Sequence, residues 1–301
     1  MIGVLLMAYG AASDIDDLSR YYTHIRHGRP PSPEQLENLV ARYQAIGGHS
    51  PLLEITQAAA KALSHRLNRT HAGTYKVYLG FKHVAPYIGE GVEAMLQDGI
   101  TEAVGIVLAP HYSRLSVGDY LREVDSARTR LQARFVWHGI KNWHREPLFI
   151  EALARRITKA RERFFGDPSI VIFSAHSLPQ SILQEGDPYP QQLRETAEDV
   201  AQYLALSSYT FSWQSAGRTP EPWMGPDILE KISGLLSEGW VNQLVCPVGF
   251  VSDHLEILYD LDLEAARHAK KLGVHLERTE LFNADPDLTD ILADVVFGAL
   301  S

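Results

Sequence analysis

The sequence holds a single cysteine, Cys246, among 301 residues. One thiol excludes an intrachain disulfide framework, a cysteine-built zinc site and a four-cysteine iron–sulfur cluster, so any metal chemistry rests on His, Asp, Glu or Tyr. Basic charge is also short: 28 Lys and Arg against 37 Asp and Glu leave a formal net charge of −9. That is the wrong sign for a broad polyanion-binding surface, and no nucleic-acid partner is expected. No apolar run approaches the ~18–20 residues of a spanning helix, so no stable membrane insertion is expected. The opening MIGVLLMAYGAAS imitates a signal peptide, yet no basic residue precedes Arg20 and the run meets Asp14-Ile15-Asp16-Asp17. It is read as the buried first strand of a soluble, cytoplasmic protein. There is no G-x-G-x-x-G, no G-x-x-x-x-G-K-[ST] and no G-x-S-x-G; Gly89-Glu90-Gly91 lacks the third glycine and follows no strand.

What is present is ordinary globular material, 45% apolar and 22% charged, with length for about two domains. Short β-rich runs alternate with amphipathic segments of helical length, the pattern of parallel sheets with crossover helices. The predicted strands are Ile2–Ala8, Tyr75–Leu79, Ala103–Ala109, Arg134–Trp137, Ile170–Ser174, Tyr209–Trp213 and Gln243–Pro247. Ile55, Ala59, Leu63 and Leu67 form a stripe on a helix over 53–67. Helices over 147–164 and 226–237 each open with proline, which suits a first helical position. A last short helix is expected over 287–300.

The halves resemble each other. VLLMAYG (4–10) parallels VIFSAHS (171–177), and residues 75–110 parallel 209–250, each with a strand, a helix, an acidic-Gly turn and another strand. The expected fold class is α/β, two pseudo-duplicated Rossmann-like lobes with parallel sheets: residues 1–143 plus 284–301, and 144–283. Ligands of open α/β sheets bind beyond the carboxyl ends of strands. Tyr9 and His176 occupy equivalent places just past such ends, so they are expected to view one ligand from opposite sides of a cleft.

Four groups of residues carry candidate chemistry. His176, in Ser174-Ala175-His176-Ser177, can bind a metal or take a proton near neutral pH, or simply be a hydrogen-bonded strand-end histidine. Glu256, Asp260 and Glu264 fall at i, i+4 and i+8, lining one helix face whose mutual repulsion a divalent cation would reverse. The plainer alternative is a solvated acidic face, with Asp253-x-x-Glu256 as a capping pair. The stretch Arg20–Arg29 is basic and aromatic, and Arg42-Tyr43 and His49-Ser50-Pro51 follow. It suits a flat, anionic, aromatic ligand as well as it suits a solvated helix with Tyr21 and Tyr22 turned inward. Lys82 and His83, His111 and Tyr112, and Tyr120 are weaker cleft candidates. Trp213, Trp223 and Tyr189 read as packing residues, and His65, His71, His268 and His275 as surface histidines.

At these residues the sequence resembles the ferrochelatase family, most closely the soluble coproporphyrin ferrochelatases of Gram-positive bacteria. The resemblance rests on MAYG (7–10), RYYTHIRHGRPP (20–31), RYQAIGGHSPL (42–52), LAPHYS (108–113), SAHSLP (174–179), GDPYP (186–190), WQSAGRTPEPWMGPD (213–227) and PVGFVSDHLEILYDLD (247–262). It implies insertion of Fe²⁺ into a tetrapyrrole held between two lobes, with His176 and Glu256 flanking the metal at the macrocycle centre as the catalytic pair. Tyr9 would lie on the other face as an axial ligand to the product iron. Arg26, Arg42, Tyr43, Ser50 and Tyr120 match the family's macrocycle and propionate contacts, with Lys82 beside them. Asp260 and Glu264 resemble an outer metal site, a place for an auxiliary divalent cation. The chain departs from the family at His27, where a second arginine is common, and at Ala11-Ala12, where Thr-Pro is commoner.

The end at Ser301, without a hydrophobic extension, favours coproporphyrin III over protoporphyrin IX as substrate. No cofactor beyond substrate Fe²⁺ and no iron–sulfur cluster are expected. The partners are coproporphyrin III and Fe²⁺, with transient contact to the preceding and following haem-pathway enzymes. A monomer is expected, since no heptad pattern demands a second copy. Metalation requires two pyrrole protons to leave and the ion to shed water. A histidine with a pKa near ambient pH suits the first task, and a mixed imidazole–carboxylate site suits Fe²⁺ without the grip of thiolates. The imidazole and carboxylate are expected to meet from facing lobes. The rival readings are a protoporphyrin ferrochelatase, a Co²⁺ or Ni²⁺ chelatase, and a non-catalytic haem carrier.

Overall fold

A computed structural model describes residues 1–69, 72–217 and 219–301. His71, named above, and residue 218, within the WQSAGRTPEPWMGPD motif, lie outside the described residues. The chain divides into two compact units, one formed by Met1–Trp143, Ser252–Leu255 and Phe282–Ser301, the other by His144–Val251 and Glu256–Leu281.

The first unit is built on β1 (Ile2–Ala8), β2 (Tyr75–Phe81), β3 (Glu102–Val107) and β4 (Val136–Gly139), all parallel in the order β2-β1-β3-β4. Strand β1 lies between two others, and every residue from Gly3 to Ala8 is buried. That is why its sequence is a continuous apolar run with no alternation. The second unit repeats the plan with β5 (Ile170–His176), β6 (Tyr209–Gln214), β7 (Asn242–Cys246) and β8 (His275–Arg278) in the order β6-β5-β7-β8. The duplicated α/β expectation therefore holds at the level of strand order. In each sheet the chain leaves the first strand toward one side and later crosses to the other, so a crevice opens beyond the carboxyl ends of β1 and β3, and of β5 and β7. Tyr9 and His176 stand at these two switch points.

Helices close the faces through their apolar stripes. Leu5, Met7, Ile88, Val92, Met95 and Val124 share one core in the first unit. Ile172, Ile228, Ile232, Val245, Ile257 and Leu261 share one in the second. A smaller cluster of Ala12, Leu18, Tyr21 and Tyr43 seats the loop after β1.

Strands β2 and β5 each run two residues further than expected, to Phe81 and His176, and β3 ends at Val107; other local expectations change more. The helix predicted to open at Pro226 spans Ile228–Ser237: Asp227 is its N-cap and accepts from the Leu229 amide at 2.9 Å, so the proline precedes the cap. The segment over 147–164 is an α-helix only to Arg161, then one 3₁₀ turn. The fourth strand starts two residues later than predicted, because Phe135 leaves the connection to fill the core. Strand β8, HLER, was not predicted: four residues with three charged or titratable side chains carry no β signal.

Candidate active site

In the second unit β5 delivers His176 to the crevice. Its Nδ1–H donates to the Ser177 carbonyl, which fixes the ring and turns Nε2 toward Glu256. The Nε2···Oε1 distance is 3.4 Å, and about a third of each side chain is exposed. The Tyr189 hydroxyl donates to the His176 carbonyl at 3.1 Å, and the Trp223 ring lies 6.4 Å from the imidazole. Burial works against the imidazolium. The Glu256 carboxylate, its hydrogen bond, the Ser177 carbonyl and Asp260 outweigh that burial and raise the His176 pKa to about 9. The resting group is therefore a protonated imidazolium, which corrects the expectation of a pKa near ambient pH. Both residues belong to the second unit. The picture of an imidazole and a carboxylate supplied by different lobes is thus overturned for this pair, as the lobe boundary at residue 144 already required.

The close packing behind His176 has a cause in Gly249. A Cβ there would lie 2.6 Å from the Ala175 Cβ and 3.0 Å from its Cα, so only glycine lets the chain after β7 pass over the end of β5.

Glu256 opens a π-helix, Glu256–Ala265, in place of the α-helix expected from the spacing. Such wider, i→i+5 turns recur at functional sites. Along it the three carboxylates stand in different settings: Glu256 is half-buried, Asp260 is buried and accepts from the Ser215 hydroxyl, and Glu264 is exposed. Ser215 follows β6 with a left-handed backbone, φ 59°, which aims its hydroxyl back at the helix. Among the described residues no group of three or more His, Cys, Asp or Glu is arranged to hold a metal ion. The donor set is a pair. Asp253 exchanges two 2.8 Å hydrogen bonds with Asn283.

In the first unit Tyr9 lies just beyond β1 and is 42% exposed. Gly10 after it has φ +86°, where a Cβ would meet Val84 at 2.6 Å. The chain after β2 continues alongside, with the Lys82 amide donating to the Ala8 carbonyl and the His83 amide to the Tyr9 carbonyl. His83 is buried, and its ring meets Tyr9 edge-on at 4.4 Å. Burial, then the cationic neighbour Lys82, lowers its pKa to about 3, so it is neutral. Lys82 is paired with Asp119 and sits 5.2 Å from the centre of the buried Tyr120 ring. Asp119 also binds Arg122 at 2.8 Å. Arg26 caps the helix Leu18–Ile25, with its guanidinium 5.8 Å from the Tyr22 ring. Arg42 is half-buried, Tyr43 lies in the small core with Tyr21, and Ser50 is buried with its hydroxyl unpaired among the described residues.

Sequence reasoning missed Ser215 and Asp119, and it treated Trp223 and Tyr189 as packing only. Ser215 had one available signal, its place at a strand end in the second half, as His176 is. Concavity alone would point elsewhere: a 530 Å³ surface cavity lined by Lys159, Glu162, Arg163, Phe165, His275 and Glu277 holds none of these residues.

The ferrochelatase family model matches residues 1–300. The chain belongs to the ferrochelatase family. This ferrochelatase-family chain is 46% identical over 302 residues to the coproporphyrin III ferrochelatase of Geobacillus kaustophilus, covering 98% of this chain and 94% of that one. It is 44% identical over 298 residues to the ferrochelatase of Herpetosiphon aurantiacus, covering 98% of each. Among solved structures it is similar to the sirohydrochlorin chelatase SirB of Bacillus subtilis subspecies spizizenii in complex with cobalt, with TM-score 0.61 and 12% identity over 99% of this chain and 94% of that one. It is also similar to CbiX, with TM-score 0.56 and 14% identity over 99% and 100%. At these identities the two structures support the fold alone. Among the described residues no helix is long and apolar enough to cross a membrane.

Proposed function

We propose that this chain inserts Fe²⁺ into coproporphyrin III, forming four iron–nitrogen bonds while two pyrrole N–H bonds break and two protons leave. The observation that carries the reading is the His176–Glu256 pair at the switch point of the second sheet. Two donors on one ion with bonds of about 2.1 Å at right angles stand about 3 Å apart. A 3.4 Å separation therefore admits one ion between Nε2 and Oε1 with little movement. The ion must first displace the proton that the Glu256 carboxylate helps to hold on His176, and the same carboxylate then serves as the ion's second donor. When iron passes on to the pyrrole nitrogens, Nε2 is free again, and a group of pKa about 9 takes one departing proton readily. Metal and proton exchange places on one imidazole. An imidazole–carboxylate pair binds Fe²⁺ well enough to desolvate it and loosely enough to release it.

The substrate reading is supported by relatives named coproporphyrin III ferrochelatase at 45–46% identity over nearly the whole chain. In this account Tyr9 is a ligand of the product iron, and Arg26, Arg42, Ser50 and Lys82 take propionates. Tyr43 and Tyr120 back the macrocycle from their buried positions. Asp260 and Glu264 serve as an outer binding ridge for a divalent cation. The enzyme works as a cytoplasmic monomer with no resident cofactor, receiving its porphyrin from the preceding haem-pathway enzyme and passing the product to the next. An anaerobic metal panel tests the reaction. Fe²⁺ is expected to quench free coproporphyrin fluorescence catalytically and faster than Co²⁺ or Ni²⁺. Tight haem binding without metal-dependent turnover would point to a carrier.

A further inference from the structure

We infer that His24 is a positioning residue for Tyr9 and acts through His83. The inference rests on the proposed role of Tyr9 as the ligand of the product iron. His24 and His83 are 59 residues apart in sequence, yet their Nδ1 atoms lie 3.0 Å apart. Two ring nitrogens at that distance share one proton, one donating and the other accepting, so the two rings are locked into complementary tautomers. The outer ring is fixed independently: His24 stacks on Tyr87 with 5.2 Å between centroids and 24° between planes. The inner ring is buried and meets Tyr9 edge-on at 61°.

The helix Leu18–Ile25 thus holds the segment after β1 at two points. The Tyr21 hydroxyl donates to the Gly10 carbonyl at 3.0 Å. His24, one turn along, holds His83, whose ring borders Tyr9 and whose amide donates to the Tyr9 carbonyl at 3.1 Å. If His83 rotated about its Cβ–Cγ bond, the nitrogen–nitrogen contact would be lost and a buried polar atom left without it, which disfavours the rotation. The edge presented to Tyr9 is therefore set by His24. An axial phenolate must direct its oxygen along one line to the iron, and a ring held in that direction beforehand needs no reorganisation when the ligand bond forms.

The test compares His24→Phe, which keeps a ring against Tyr87 and removes Nδ1, with His24→Asn, which keeps a polar atom near that position. Tyr9→Phe is the reference. The readouts are the phenolate-to-iron resonance Raman signature of the ferric coproporphyrin complex and the product dissociation rate, with thermal midpoints measured alongside. His24→Phe is expected to weaken the signature and release product about tenfold faster, the size of one lost hydrogen bond, while His24→Asn stays close to wild type. If the signature disappears in Tyr9→Phe but is unchanged in His24→Phe, the inference is overturned and the role of Tyr9 stands. Equal losses in both His24 variants also overturn it, because bulk and not the nitrogen would then matter. If the signature survives Tyr9→Phe, the ligation and the inference fall together.

Discussion

At the residue scale the chemistry concentrates in two histidines whose surroundings drive them in opposite directions. His176 is raised to about 9 by Glu256 against the effect of burial, and His83 is lowered to about 3 by burial. The consequences for stability have opposite signs. Below about 6.5 the unfolded chain protonates both histidines. Folded His176 is then protonated too, so its contribution is fully present there and is lost as pH rises through about 9. Folded His83 stays neutral, so stability is lost as pH falls from about 6.5 toward 3, at up to about 1.4 kcal/mol per pH unit. Denaturant midpoints measured across pH should therefore show an acid limb that is shallower in His83→Phe; an unchanged limb would contradict a buried neutral imidazole. For the reaction, His176→Ala and Glu256→Gln should each lower kcat about 10²–10⁴-fold, and each should also lower the thermal midpoint modestly below about pH 9, where the charge pair contributes stability. Near-normal insertion by both variants would remove the pair from the mechanism. The identities of these residues were legible in the sequence, but their environments were not. A raised pKa depends on a carboxylate 80 positions away, and the His24–His83 contact joins segments that no local pattern relates.

At the element scale the structure departs most from local expectation where the site is built. The four-residue carboxylate spacing reads as an α-helix, and it folds as a π-helix within which buried Asp260 accepts from Ser215, a contact invisible at 45 residues of separation. Strand β1 was legible because it is apolar throughout, whereas β8 was not, being short and charged. Two substitutions probe these elements. Ser215→Ala removes a hydroxyl donor from a buried carboxylate and should destabilise the second unit by about 1–3 kcal/mol, measured by denaturant unfolding. Gly249→Ala forces a Cβ against Ala175 and should cost about 1–3 kcal/mol and slow insertion, because the strain lands on the residue before His176. A Gly249→Ala protein of normal stability and rate would show that β5 and the chain over it are loosely packed.

At the scale of the whole molecule, one strand order is used twice and serves different chemistry each time. The first switch point presents a phenol edged by a buried histidine, and the second an imidazole with a carboxylate. The repeat was legible because both halves carry the same alternation of strand, helix and turn. The division of labour was legible only through which side chain each half places after its first strand. A net charge of −9 fits a small substrate better than a broad polyanion. Coproporphyrin III carries four propionates and protoporphyrin IX two, so the number of carboxylates to be held separates the two substrates. The most direct measurement is anaerobic, steady-state insertion of Fe²⁺ with the two porphyrins side by side under identical conditions. The account predicts a higher kcat/KM for coproporphyrin III; a higher kcat/KM for protoporphyrin IX would contradict it.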